Sequence, residues 1–441
     1  MRRTALLLAI GLVAAGGLQA QAVPDDSPAS RLDRGYSRTP FLRVDPFRHV
    51  MIPHWGFVVS GNAIGINNTL NLKDVGAIIK IEDEDKLLTS DLMNIAGLIP
   101  QGSGAKGNVE ANGGLYIGGP FGGSFSLGFS AQGRAYGTFL VDDDVVALLR
   151  DGNLERQEFF LGETGGTGLG TAEIGGHAVV HLGPFGSEDG VHVDFGFGGR
   201  YVRPVVYVRE TGIIDARNQV LVNFDTVAAY VNLDVRHTDI DSTGEYLTNG
   251  NGSGIAADFL LRLSWPTSGF AIEALVGNIG SVTIRDVEYE SLRFSVETTN
   301  LEELTDSLDL LCIYCDNPGP DHIQVVRDSI AEAKVTLPRI VRLSASAWAN
   351  RILQLDVSAT IPAGGEFEMP LAVDLYSTWR FVNSLPLRLG LVLGGHHGIG
   401  YTAGIGVETR NFYLQAMGGS YGGLFKNATG MAALFELGVF F

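Results

Sequence analysis

"MAALFELGVFF", Met431 to Phe441, closes the sequence, and its reading decides the fold. Met431, Ala433, Phe435, Leu437, Val439 and Phe441 fall on every second position and are all apolar. The alternate set, Ala432, Leu434, Glu436, Gly438 and Phe440, is mixed and holds the only charge. Successive side chains of a strand point to opposite faces, so the stretch predicts a strand whose two sides meet different media. A soluble sandwich can contain such a strand, but chain ends in water are usually frayed and polar.

The opposite end names a compartment. "MRRTALLLAIGLVAAGGLQAQA" has Arg2 and Arg3, an apolar core from Ala5 to Ala15 and an A-x-A pattern at Ala20-Gln21-Ala22. Residues 1–22 therefore read as a cleaved secretory signal peptide, with the mature chain starting near Val23. The arginine pair lacks the twin-arginine consensus, and no cysteine follows the core to take a lipid. Without the signal the charge moves from −18 to about −20, which argues against nucleic acid as a partner.

Beyond the signal no run of about 18 apolar residues occurs, so a helical span is excluded. Yet 45% of the chain is hydrophobic, only 18% is charged, and there are 59 glycines. Short, alternating, glycine-rich segments reconcile these facts. In lipid every backbone N–H and C=O needs an internal partner, and a closed barrel supplies one without a long apolar run.

Such segments recur from residue 55 to the end. They include "GFVVSGNAIGIN" (Gly56 to Asn67), "NVEANGGLYIGG" (Asn108 to Gly119) and "GSFSLGFSAQGRAYG" (Gly123 to Gly137), the last two joined by a turn at Gly119-Pro120. "LGTAEIGGHAVVHLG" (Leu169 to Gly183) and "VHVDFGFGGRYVRPVVYVRE" (Val191 to Glu210) follow, then "QVLVNFDTVAAYVNLDVRH" and nine or ten more. Fourteen to sixteen candidates appear, and the even-number habit of single-chain barrels selects fourteen. The expected fold is all-β: a transmembrane antiparallel up-and-down β-barrel over residues 55–441, with short helices in loops or lumen. Residues 23–54 form an N-terminal extension, a plug or periplasmic segment.

Three segments depart from the strand pattern. "IEDEDKLLTSDLMNIAGLI" (Ile81 to Ile99) and "VDDDVVALLRDGN" (Val141 to Asn153) place acids before an apolar stretch, as helix N-termini do. "TTNLEELTDSLDLLCIYC" (Thr298 to Cys315) is helical in pattern, and Pro318 and Pro320 prevent its continuation. An irregular helical insertion over about 298–335 is expected.

On these segments the chain resembles a family of uncharacterised outer-membrane barrels, a domain of unknown function common in Bacteroidota and similar in architecture to FadL-type fatty-acid channels. The resemblance rests on the acidic "KLL" helix at Asp83 to Leu88, on "DDDVVALLRDGN" with the "LGTAEIGGHAVVHLG" strand after it, and on "VTLPRIVRLSASAW" (Val335 to Trp348). It implies a barrel in the outer membrane of a Gram-negative-type bacterium and carries over no catalytic residue. Phe435, Leu437, Val439 and the terminal Phe441 then look like the signal read by the barrel-assembly machinery. The function expected is a channel or transporter for a small hydrophobic ligand, with outer-membrane lipid around the wall. The alternative is a structural or interaction barrel acting through the 298–335 insertion in secretion or surface display.

Chemistry has few candidates. Cys312 and Cys315 are the two cysteines, spaced C-x-x-C in an oxidising compartment, and read as a short disulfide. A zinc ribbon needs a second pair. His177 and His181 lie four apart on one strand, and His396-His397 form a pair, but a metal needs three or four converging ligands. "VDDDV" lacks the spacing of a calcium loop and reads as an N-cap. "GGSFSLG" falls inside an alternating strand and not at a nucleophile elbow. No sequence rule joins His49, His54 or His237 to a serine. The expected assignment is therefore a non-enzyme with no catalytic residue, no metal and no cofactor.

Overall fold

A computed structural model describes residues 45–52, 54–74, 89–151, 157–160, 164–186, 190–212, 219–222, 227–238, 252–298, 323–350, 352–367, 369–382, 384–395, 398–409 and 411–441. The signal peptide, most of the N-terminal extension, the Cys312/Cys315 pair and His396-His397 lie outside them.

The elements in chain order are β1 (Gly56–Asn67), α1 (Thr89–Leu98), β2 (Ala105–Pro120), β3 (Phe125–Val141), α2 (Asp143–Asp151), β4 (Gln157–Phe160), β5 (Gly165–Phe185), β6 (Val191–Gly212), β7 (Gln219–Val222) and β8 (Val227–His237). They continue with β9 (Gly252–Trp265), β10 (Phe270–Thr298), β11 (Ile323–Thr336), β12 (Ile340–Trp348), β13 (Leu353–Pro362), β14 (Ala372–Val382), β15 (Leu385–Gly394), β16 (Gly398–Glu408), β17 (Phe412–Tyr421) and β18 (Gly430–Phe440). Antiparallel pairing runs β1-β2-β3-β5-β6-β9-β10-β12-β13-β14-β15-β16-β17-β18 and closes from β18 onto β1, Gly56 opposite Phe440 through Ile66 opposite Gly430. This is the expected fourteen-stranded ring, and closure leaves it no open edge.

The final strand behaves as its alternation predicts. Phe435, Val439 and Phe441 are 49%, 47% and 78% exposed, whereas Glu436 and Phe440 point inward and are buried. The outer wall repeats the pattern with Phe57, Ile117, Phe129, Ile174, Phe197, Ile255, Leu389 and Ile405 all exposed. In water so continuous an apolar belt would drive association; in lipid it is the favourable face. No described helix is long and apolar enough to cross a membrane.

Glycine serves this wall by letting aromatic rings lie flat against the neighbouring strand. Gly438 faces Tyr413, and a Cβ there would sit 2.3 Å from the ring; Gly400 faces Tyr421 in the same way, also at 2.3 Å. Alanine at either position would push a buried tyrosine inward.

The ring's two ends differ. One carries short turns, such as 121–124, 266–269 and 409–411; the other carries the long connections 68–104, 142–164, 213–251 and 299–322. Strands β13 to β18 have 10 or 11 residues, whereas β5, β6 and β10 have 21, 22 and 29. A tilted span needs only about 9–11 residues. The excess projects past the long-loop end, where the upper part of β10 pairs with β8 and β11.

Three sequence expectations need correction here. The 298–335 segment is not a helical insertion throughout: Ile323–Thr336 is strand β11, laid along β10 because its alternating apolar residues pair there. "QVLVNFDTVAAYVNLDVRH" is not one strand but two, β7 and β8, paired as a hairpin. Pro120 ends strand β2, with the turn following it. Of the helix expected over Ile81 to Ile99, the part from Thr89 is present as α1, its acidic start lying outside the described residues; the second acid-led helix is α2, and the two pack through Ala96, Ile99 and Val146 at the long-loop end.

Candidate functional site: an occupied lumen

Inward positions decide what the lumen can do. The segment from Asp45 to Trp55 runs inside the short-turn end before β1 begins. Asp45 turns it, accepting a hydrogen bond from the Phe47 amide at 2.9 Å, and Val50 and Met51 amides bond back to the Phe47 carbonyl at 3.0 Å. Phe47, Val50 and Met51 bury themselves against Val179, Leu260 and Leu275 of the wall, and Ile52 against Tyr116, Tyr413 and Phe440.

Two ionic clasps fix this segment. Arg48 donates both arms of its guanidinium to Glu436 of β18, at 3.1 and 2.7 Å, and Ser60 of β1 donates to the same carboxylate at 3.0 Å. Asp45 is held by Arg342 of β12, which also donates to Glu273 at 3.2 Å. Glu436 is the lone charge of the C-terminal stretch, and its partner Arg48 lies 388 residues away in the sequence.

Halfway up, on β3, β5, β6, β9 and β10, lies a denser network. Arg200 donates to Glu173, twice to Asp258 at 2.9 and 3.0 Å, and to Asn278 Oδ1 at 2.6 Å. Arg134 donates to the same Asn278 oxygen at 2.8 Å and lies 3.4 Å from Glu173. Asn278 occupies a bulge between Val276 and Ile279 with φ near 60°, a conformation Asn tolerates better than most residues. The bulge turns its amide into the network, where its own backbone N–H donates to Asp258 at 2.9 Å. On the facing wall Arg388 stacks over Tyr376 at 4.2 Å and approaches Asp356, and Arg380 lies 3.6 Å from Glu408.

Above this polar layer, toward the long loops, the tall wall becomes apolar. Tyr136, Leu169, Val202, Ala256, Val282, Ile284, Val335 and Ile340 form one buried cluster. The loop after β13 folds into it, burying Phe367 and Met369, with Phe367 5.8 Å from the Tyr136 ring. Arg209 and Glu366 pair at 2.9 Å beside that loop. A separate concavity of about 830 Å³ lies over β14 to β18, lined chiefly by wall residues such as Leu375, Leu389, Leu391 and Met431 that face outward; it belongs to the lipid side.

The histidines singled out in the sequence scatter. His49 is buried in the inner segment, its ring 4.3 Å from that of Tyr116. His54 lies at the end of that segment, and His237 lies 3.7 Å from Glu288 in the projecting sheet. His177 and His181 both point inward but serve different groups: His177 approaches Asp258 at 3.6 Å, while His181 bridges Ser126 and Asp194. No metal set forms from them. Among the described residues the one acidic cluster is Asp142, Asp143 and Asp144, where Asp142 accepts from the Asp144 amide at 3.0 Å, as a helix N-cap does.

A closed fourteen-stranded barrel with an apolar outer wall and a charged, filled lumen defines the class of outer-membrane β-barrels. No protein-family model matches the chain, and no curated protein matches it. Among solved structures the deltaS2S3 mutant of the TodX monoaromatic hydrocarbon channel is similar over 96% of this chain and 98% of its own, at 9% identity and a TM-score of 0.51. The toluene transporter TbuX of Ralstonia pickettii aligns over 96% and 99% at 8% identity, with a TM-score of 0.48. At these identities the likeness establishes the fold, and the first of the two carries it. The first is a hydrocarbon channel and the second a toluene transporter.

Proposed function

We propose that the chain is an outer-membrane channel for small hydrophobic molecules, with its long loops outside the cell and residues 45–55 as a plug at the periplasmic end. The observation that carries the reading is the apolar cluster around Tyr136, Val202 and Phe367 at the long-loop mouth, above the charged layer of Arg134, Glu173, Arg200 and Asp258. An apolar solute partitions there, because each buried CH₂ is worth about 0.8 kcal/mol. Its way on is blocked by the plug, so passage requires the Arg48–Glu436 and Asp45–Arg342 clasps to open. The likeness in fold to the TodX hydrocarbon channel mutant supports the same reading. Kinship with the Bacteroidota barrels rests on the sequence motifs alone. The outward face of Phe435, Leu437, Val439 and Phe441 is the surface we assign to the assembly machinery and then to lipid.

Vesicles containing the protein are expected to take up a small aromatic hydrocarbon faster than empty vesicles, and Phe367→Asp should slow that uptake severalfold. Equal rates with and without protein would sink the channel reading.

The plug should respond to acid. Burial holds the His49 pKa down at about 4, against the opposing pull of Glu436. A free imidazole titrates near 6.5, so the unplugged segment binds the proton more readily than the docked one. Docking is therefore fully supported above about pH 6.5 and loses support progressively as pH falls toward 4. Bilayer conductance is expected to rise across that window and to flatten in His49→Gln; a flat profile in the unaltered protein would refute the coupling.

A further inference from the structure

We propose that Ser126, His181 and Asp194 form a serine-hydrolase centre inside the short-turn mouth, acting on small carboxylic esters. The inference stands apart from the channel reading, since it needs neither the plug to open nor a solute to cross.

The strand register assembles the three. Ser126 is among the first inward residues of β3, His181 is near the end of β5, and Asp194 is near the start of β6 directly opposite His181. Ser126 Oγ lies 2.8 Å from His181 Nε2, and His181 Nδ1 lies 2.8 Å from Asp194 Oδ1. The second oxygen of Asp194 accepts from Arg262 at 3.2 Å. Because an ionised carboxylate can only accept, Nδ1 carries the ring proton, and Nε2 is left free to take one from the serine. Nucleophile, base and orienting acid are thus joined in the order and at the spacing that acyl transfer needs.

The His181 side chain is 24% exposed, so the base reaches the aqueous mouth, while Ser126 and Asp194 on either side of it are buried, at 2% and 5% exposure. Val179, opposite Ser126 in the ladder, packs with Val50 of the inner segment in one buried apolar cluster, which restricts the acyl chain to a short one. Upward access is closed by that same segment, which confines substrates to those arriving from the mouth.

The chemistry closes with water as co-reactant. Ser126 Oγ adds to the ester carbonyl carbon as its proton passes to Nε2; collapse breaks the C–O bond, and the departing alkoxide takes that proton and leaves as the alcohol. Water then adds to the acyl-serine, giving a proton to Nε2, and the second collapse releases the carboxylic acid and returns the proton to Oγ. Asp194 stays ionised throughout.

The test uses the full-length folded barrel in detergent with p-nitrophenyl acetate and butyrate, and a fluorophosphonate probe read by mass spectrometry. Ester hydrolysis above the detergent blank and a phosphonate adduct on Ser126 are expected. Ser126→Ala and His181→Asn should lose the adduct, and Asp194→Asn should slow hydrolysis more than about 100-fold. Each variant is checked for its boiling-dependent gel shift, so a folding failure is recognised; Ser126→Thr, which keeps the hydroxyl, is the second nucleophile variant. No adduct on a barrel with an intact shift, or an unchanged rate in folded Ser126→Ala, would overturn the proposal and leave the trio a wall contact.

Discussion

Replacing Arg200 by alanine is expected to produce the largest loss of stability of any single change in the wall. Arg200 is buried and joins Glu173, Asp258 and Asn278. Its removal leaves two carboxylates in a site with little water, and breaking a buried pair from one side costs about 3–5 kcal/mol. Arg200→Lys should recover only part, since an ammonium cannot reproduce a planar fork reaching three partners. The control is Arg285→Ala: Arg285 pairs with Glu332 at 3.5 Å with both side chains more than half exposed, and such pairs are worth about 0–1 kcal/mol. Urea unfolding of vesicle-embedded protein, followed by the boiling-dependent shift, measures both. Equal losses for Arg200→Ala and Arg285→Ala would refute the central role of the network.

Glu436→Ala is expected to unlatch the plug while leaving barrel assembly intact. The carboxylate faces the lumen and holds Arg48 and Ser60, whereas the flanking Phe435 and Leu437 point to the other face, so the lipid-side pattern is unchanged. Losing the bidentate pair of the part-buried Arg48 costs docking about 3 kcal/mol, or roughly a hundredfold in the open fraction. Conductance in planar bilayers should rise accordingly. Arg48→Met with Glu436→Leu, which removes both charges and keeps apolar bulk, should close the channel again. The strong non-additivity of that cycle is the signature of a direct latch. A conductance that stays low in Glu436→Ala would place the seal elsewhere, with Asp45–Arg342 as the next clasp to test.

The sequence by itself determined the barrel, its fourteen strands and its lipid-facing positions. Alternation is local: from Met431 to Phe441, or from Gly56 to Asn67, every second residue reports the medium it meets, and no distant partner is needed to read it. The acids that open α2 and the glycines that thin the wall are legible for the same reason. What the sequence did not determine is which inward residues meet. Glu436 finds Arg48 across 388 positions, and Arg342 finds Asp45 across 297. In the sequence Ser126 lies in a strand and not at a nucleophile elbow, and the spacing of His181 from His177 suggests only a metal pair. Their junction with Asp194 exists because ladder register and the pleat turn three neighbouring strands' side chains to one point. Register is set by closure of the whole ring, in which a slip of one residue would turn every charged lumen group into lipid. The wall is therefore written in the chain's local period, and the chemistry of the lumen only in its closed tertiary structure.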